Sequence, residues 1–174
     1  MIRGSRTLTL PRWVAFLFWP VALLLSMAGL PAGLAQNGPR RGWRQGRPGA
    51  WNLLGFALLI PGLALLAWNA YLHFAHSPSR VEVPEAAPPY LLAKGPYAWS
   101  RNPMYVAGMI TWAGWAVYYG SFAVVAGMVP FWGAIALLAV PFEERHLEAR
   151  LGEPYLRYKR SVPRWLGRPR PRGV

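Results

Sequence analysis

At 174 residues the chain has the length of one domain, and 54% of it is hydrophobic, with 10 Trp and 8 Tyr gathered in long apolar blocks. Such blocks point to helices that bury their backbone groups in lipid rather than to a large soluble core. The absence of Cys excludes disulfides, thiolate metal sites and a cysteine nucleophile, and the net charge of +13 flanks apolar stretches, which favours anionic lipid head groups over nucleic acid as partner.

Arg3, Arg6 and Arg12 precede an apolar run, Trp13 to Ala35, that contains Pro20 and Pro31. It reads as a first spanning helix, although a basic start, an apolar run and the small-residue ending Gly33-Leu34-Ala35 also fit a secretory signal across residues 1–35. Either way Gln36 lies on the far side of the membrane. Gln36 to Ala50 is a Gly/Pro/Arg loop without helix or strand pattern. Trp51 to about His73 is a second span, entered through an interfacial Trp and loosened at Pro61-Gly62. His73 and His76 close it as interfacial polar anchors, and three His without Cys give no metal site.

Ser77 to Arg101 carries Pro78, Pro84, Pro88, Pro89 and Pro96, too many prolines for one helix. An extended, ordered loop is expected, turning at Lys94-Gly95-Pro96. Asn102-Pro103 then forms a helix start: Asn can cap free amides and Pro suits the first helical position. The third span is expected from Pro103 to about Tyr119, and the fourth from Phe122 to Phe142, bent at Pro130 and Pro141. From Glu143 the same helix should continue into water until Gly152 and Pro154 stop it. A short amphipathic helix, Pro154 to Arg160, would put Tyr155 and Tyr158 on one side, at the membrane interface, before an Arg/Pro/Gly-rich tail.

With both termini in the cytosol, fifteen basic residues lie inside and four in the Gln36 to Ala50 loop. The positive-inside rule therefore gives an all-α integral membrane bundle of about four spans with a cytosolic C-terminal helical extension. Residues 1–76 would form the N-terminal spans and 77–174 the catalytic core. Two neighbouring carboxylates, Glu143 and Glu144, stand at the end of an apolar helix, where they either terminate the span in ion pairs or serve a site. The hairpin brings them to the membrane face where Asn102, Pro103 and Tyr105 open the third helix with unpaired amides.

GPYAWSRNPMYVAG, starting at Gly95, and EERHLEARLGEPYLRYKRSVPRW, starting at Glu143, resemble the two signatures of the isoprenylcysteine carboxyl methyltransferase and phospholipid methyltransferase family. The resemblance covers about Pro89 to Trp165. It implies a membrane enzyme moving the methyl of S-adenosylmethionine to a lipophilic acceptor, which mainly requires alignment and exclusion of water. By the same resemblance the cofactor contacts are Pro89, Tyr90, Leu91, Leu92, Tyr97, Asn102, Pro103, Met104, Tyr105 and Glu143. Glu143 would accept from ribose hydroxyls or the cofactor ammonium, Tyr97 and Tyr105 would offer ring faces, and Asn102 with the following amides would meet the cofactor carboxylate. Glu144 is assigned to support, and Arg164 to an acidic acceptor or head group.

Prenylcysteine methyltransferases of the family carry an Arg four residues before the first Glu, where this chain has Ala139, and usually a His where it has Asn102. A phospholipid amine or an isoprenoid-type acceptor therefore stays open beside prenylcysteine. Two other readings are an NADPH-dependent membrane reductase of the steroid-reductase type, which would need a site for the 2′-phosphate, and a non-catalytic protein whose Arg-rich tail binds anionic lipid.

Overall fold

The structure is a computed structural model and describes residues 8–11, 13–14, 21–83 and 89–167. Arg3, Arg6 and Arg12, the stretch 15–20 of the expected first span, and the end of the tail, 168–174, lie outside the described residues. Helices make up the architecture: α1 (Val21–Gln36), α2 (Ala50–His76), α3 (Pro103–Tyr119), α4 (Phe122–Leu151) and α5 (Glu153–Ser161). One antiparallel ribbon joins them, β1 (Leu8–Pro11) with β2 (Arg80–Val83), in the register Leu8 to Val83 and Pro11 to Arg80.

Length and composition make α2 and α4 long and apolar enough to cross a bilayer. Only 28% and 17% of those stretches are buried within the protein, far from the condition of a soluble core helix. Ile60, Leu63, Phe122, Val129, Leu137 and Leu138 all face outward, a surface that favours lipid over water. By contrast α3 is central, burying Val106, Ala107, Gly108, Thr111, Trp112 and Gly114. Of the four expected spans, α2 and α4 thus meet the requirement, while α3 has 17 residues and α1 is an apolar helix of 16 described residues.

Close approach of α2 to α3 depends on small residues. A Cβ on Gly62 would come within 2.5 Å of Thr111 Oγ1 and 2.9 Å of its backbone nitrogen, so a side chain there forces the helices apart. The core beside this contact gathers Met27, Leu66, Ala107, Trp112 and Trp132 from four helices. Trp112 stacks on Phe131 at 4.9 Å, and its indole N–H donates to Ser26 O at 2.9 Å, inside the π turn Leu25–Gly29 of α1. A second π turn, Ile135–Ala139, lies in α4 between Pro130 and Pro141, where ring nitrogens without hydrogens disturb the regular ladder.

The α3–α4 turn is tight because Gly120 adopts φ 56°, and a Cβ there would lie 2.1 Å from Arg41 O. With only Gly120 and Ser121 between them, α4 returns to the end of the bundle from which α3 started. That antiparallel return is what brings the two sequence blocks that start at Gly95 and Glu143 to one face.

Candidate active site

Three segments converge at the shared end of α2, α3 and α4. The first is the loop before α3. Pro89 and Tyr90 follow the undescribed 84–88, Leu92 is buried, and a 3₁₀ turn, Gly95–Ala98, starts on Gly95 at φ 59°. The expected turn at Lys94-Gly95-Pro96 is this one. It buries Tyr97, and Tyr97 N–H closes the turn on Lys94 O at 3.2 Å.

The second segment is the start of α3, with Pro103 in the first turn as expected. Asn102 holds the cap position but its side chain does not cap. It donates through Nδ2 to Arg164 O at 3.0 Å, and its own N–H donates to Ser100 Oγ at 3.0 Å. The expected Asn102 cap is therefore corrected: the returning C-terminal chain offers a carbonyl within reach and takes the amide. The first-turn N–H groups of Met104 and Tyr105 are left without a side-chain cap.

The third segment is α4 where it turns polar. Tyr105 O–H donates to Glu143 Oε2 at 3.0 Å, bridging the first turn of α3 and the carboxylate. Glu143 is half-buried and has no cationic partner among the described residues. Glu144 is the opposite case: 3% exposed, it is bound by Arg101 Nη1 at 2.8 Å, by Arg164 Nη2 at 2.6 Å and Nε at 3.2 Å, and by Lys159 Nζ at 3.8 Å. Lys159 also bonds Glu148. Of the two roles open to them in sequence, ion pairing falls to Glu144. Glu144 anchors charge inside the fold, and Glu143 faces the convergence with spare acceptor capacity.

Arg164, considered above for an acidic acceptor or head group, has its guanidinium on Glu144 through two bonds, which hold it further in its charged form. Its carbonyl accepts from Asn102 and from Ser100 Oγ at 3.3 Å, while Arg101 N–H donates to Pro163 O at 2.9 Å. The chain after α5 is consequently a strap across residues 100–102.

Tyr155 and Tyr158 pack under that strap rather than at a membrane interface. They are buried with Val162 against Leu91, Leu147 and Leu151. Tyr158 O–H donates to Tyr97 O at 2.8 Å and reaches Ser100 O at 3.4 Å, tying α5 to the 3₁₀ turn. Burial pushes the Tyr155 phenol up to about 12, with Glu144 adding to the effect and Arg101 opposing it. Tyr158 and Tyr97 are also raised by burial, Tyr158 further by Tyr155 and Tyr97 further by Glu143. All three phenols stay protonated at neutral pH, and Tyr158 acts as a donor.

One residue read in sequence only as an anchor joins the site. His73, on the last turns of α2, has Nε2 2.7 Å from Tyr97 O–H and Nδ1 3.0 Å from Tyr90 O–H, and Tyr90 O–H also donates to His73 O at 3.2 Å. One turn earlier Asn69 is fully buried, its Nδ2 donating to Leu65 O at 2.7 Å and its Oδ1 without a partner among the described residues. The pair sits on one helix face, four residues apart. No local pattern announces His73, because its partners Tyr90 and Tyr97 lie in a loop about 20 residues later. His76 turns instead to Leu72 O and solvent.

A sequence profile of phospholipid methyltransferases matches residues 52–153, more than half of the chain. The chain belongs to the phospholipid methyltransferase family. No curated protein and no solved structure matches it. Membership in the phospholipid methyltransferase family carries methyl transfer as the general activity and lipids as the general substrate class, in keeping with two helices suited to a bilayer. The matched region runs from the start of α2 to Glu153 and so contains Tyr97, the start of α3 and Glu143; the strap through Arg164 lies beyond it.

Proposed function

We propose that the chain uses S-adenosylmethionine to methylate a lipophilic acceptor at the membrane face where α3 begins. The observation that carries this reading is the Tyr105–Glu143 hydrogen bond, which joins the two sequence blocks around a half-buried carboxylate with no cationic partner among the described residues. The donor set suits such a molecule. Glu143 can accept from ribose hydroxyls or an ammonium. The uncapped amides of Met104 and Tyr105 carry the positive end of the α3 dipole toward a carboxylate. Buried Asn69 Oδ1 is an acceptor in need of a donor.

When bound, S-adenosylmethionine supplies an electrophilic methyl group on its sulfonium. Pro89, Tyr90, Leu91 and Leu92 would form one wall, Tyr97 and Tyr105 would present aromatic faces, and Asn102 and Pro103 would set the start of α3. His73 fixes Tyr90 and Tyr97 relative to α2, and the strap fixes residues 100–102, so the wall is held before any ligand arrives. Glu144 holds Arg101 and Arg164 and thereby orders that strap.

The acceptor reaches the site from lipid, along the outward apolar face of α4. Position 139 is Ala, in the π turn, so no cation stands there for a prenylcysteine carboxylate. A lipid amine or an isoprenoid-type acceptor fits the site better. With α1 and α3 counted as spans beside α2 and α4, charge asymmetry puts this face in the cytosol. The test is transfer of labelled methyl from S-adenosylmethionine into a lipid extract by the purified protein, followed by chromatography of the product. A labelled lipid supports the proposal; no labelled lipid with wild-type protein, under conditions where the protein is folded, refutes it.

A further inference from the structure

The four arginines between Gln36 and Ala50 run against the charge asymmetry of the rest of the chain, and they sit at the opposite end of the bundle from Tyr105 and Glu143. The 17 residues of α3 separate the two ends by about 25 Å. The loop is held in place there. Arg41 N–H donates to Gly120 O at 3.0 Å, Trp43 Nε1 donates to Tyr118 O at 2.9 Å, and Asn52 Nδ2 donates to Arg41 O at 3.1 Å. Arg40 lies over the rings of Trp43 and Tyr119, 5.2 and 5.5 Å from their centroids.

Arg41 differs from Arg40. It lines a cavity of about 230 Å³ together with Trp51, Ser121, Phe122 and Val125, and its guanidinium has no hydrogen-bond or ion-pair partner among the described residues. Ser121, on the same wall, is 2% exposed, and its Oγ has no partner among the described residues. It occupies the cap position of the 30-residue α4 without capping it, so the first-turn amides of that helix also open at this place. The cavity therefore combines a free cation, an unpaired buried hydroxyl and a helix dipole of the same sign. Its other side is apolar: Phe122, 77% exposed, and Val125 lead onto the outward face of α4 at Val129.

We infer that this cavity binds the phosphodiester head group of an anionic phospholipid, with an acyl chain lying along Phe122 and Val125. Arg41 donates to the phosphate oxygens, the Ser121 hydroxyl donates a hydrogen bond to one of them, and the dipole of α4 adds to the attraction. A free phosphate would satisfy the polar wall but leave the apolar one exposed, which selects the lipid. The site is separate from the proposed methyl-transfer end and stands or falls independently of it.

The experiment is native mass spectrometry of the full chain released from detergent, titrated with dioleoyl phosphatidylglycerol, dioleoylglycerol or inorganic phosphate. One phosphatidylglycerol should be retained, dioleoylglycerol should not, and millimolar inorganic phosphate should fail to displace the lipid. Arg41→Gln should weaken retention about tenfold and Arg41→Lys much less, whereas Arg44→Gln, on the same loop, should leave it unchanged. The Arg41 side chain is on the surface, so folding is expected to survive, and the thermal transition of each variant checks this. Equal retention of dioleoylglycerol, unchanged retention in Arg41→Gln, an equal loss in Arg44→Gln, or displacement by inorganic phosphate alone would each overturn the inference.

Discussion

The hydroxyl of Tyr105 donates to Oε2 of Glu143 across 3.0 Å, although the two residues stand 38 positions apart in sequence. The whole hairpin of α3 and α4 lies between them, so the contact exists only if both helices have the right length and the turn at Gly120 and Ser121 reverses the chain tightly. It also fixes which carboxylate faces the start of α3. Glu143 keeps spare acceptor capacity while Glu144 is consumed by cations.

Replacing Tyr105 by Phe removes the donor and leaves the ring. Losing a hydrogen bond to a charged group costs about 1.5–3 kcal/mol, so kcat/KM for methyl transfer should fall roughly 10- to 100-fold. Thermal stability should fall only modestly: the bond is already present in the free protein, but Tyr105 is half-buried and water can take its place. Steady-state kinetics beside a thermal melt checks this, and unchanged kinetics would remove Tyr105 from the site.

Glu144 predicts the reverse pattern. Glu144→Ala leaves Arg101, whose side chain is 10% exposed, with no counter-ion, and removing one partner of a buried pair costs about 3–5 kcal/mol. Arg164 and Lys159 can recover water, being 40% and 34% exposed, so the loss should sit near the lower bound. Arg160→Ala, which breaks the exposed pair with Glu153, should be nearly neutral. Chemical denaturation in detergent measures both, and equal effects would contradict the division of roles.

His73→Phe should loosen Tyr90 and Tyr97 together. Each loses a bond of 3.0 or 2.7 Å to the imidazole, and the expected outcome is about a tenfold rise in the dissociation constant for S-adenosylmethionine at nearly constant melting temperature. His76→Phe should have a much smaller effect, since among the described residues His76 hydrogen-bonds only Leu72 O of its own helix and meets Tyr90 through a ring contact at 6.4 Å that Phe can keep. Calorimetric titration of the two variants separates them.

Alkaline pH should weaken the strap. Tyr97, Tyr155 and Tyr158 have folded values above the ordinary phenol value near 10, Tyr155 at about 12. A raised acid binds more protons folded than unfolded, so its stabilisation is complete below about pH 10 and is lost as pH climbs above that, at up to about 1.4 kcal/mol per pH unit per group. Denaturation midpoints should be flat from pH 7 to 9 and then fall, less steeply in Tyr158→Phe than in wild type.

Much of this arrangement could be read locally. Asn102-Pro103 and Gly120 bound α3 because a proline and a left-handed glycine act on their immediate neighbours, and Gly152, at φ 60°, stops α4 for the same reason. The continuation of α4 past Phe142 followed from one uninterrupted helical pattern. What escaped were partners chosen by tertiary structure. The side chain of Asn102 goes to a carbonyl 62 residues away instead of capping, Tyr155 and Tyr158 pack beneath the strap, and β1 finds β2 across some 70 residues. His73 belongs to the same class: its sequence neighbours say only that a helix is ending.

The most direct measurement is titration of the purified protein with S-adenosylmethionine, wild type against Glu143→Gln, with Arg160→Ala as a surface control. Saturable binding that weakens at least about tenfold in Glu143→Gln and is unchanged in Arg160→Ala is the predicted result. Equal affinity in all three proteins, or no saturable binding to folded wild type, would contradict the account.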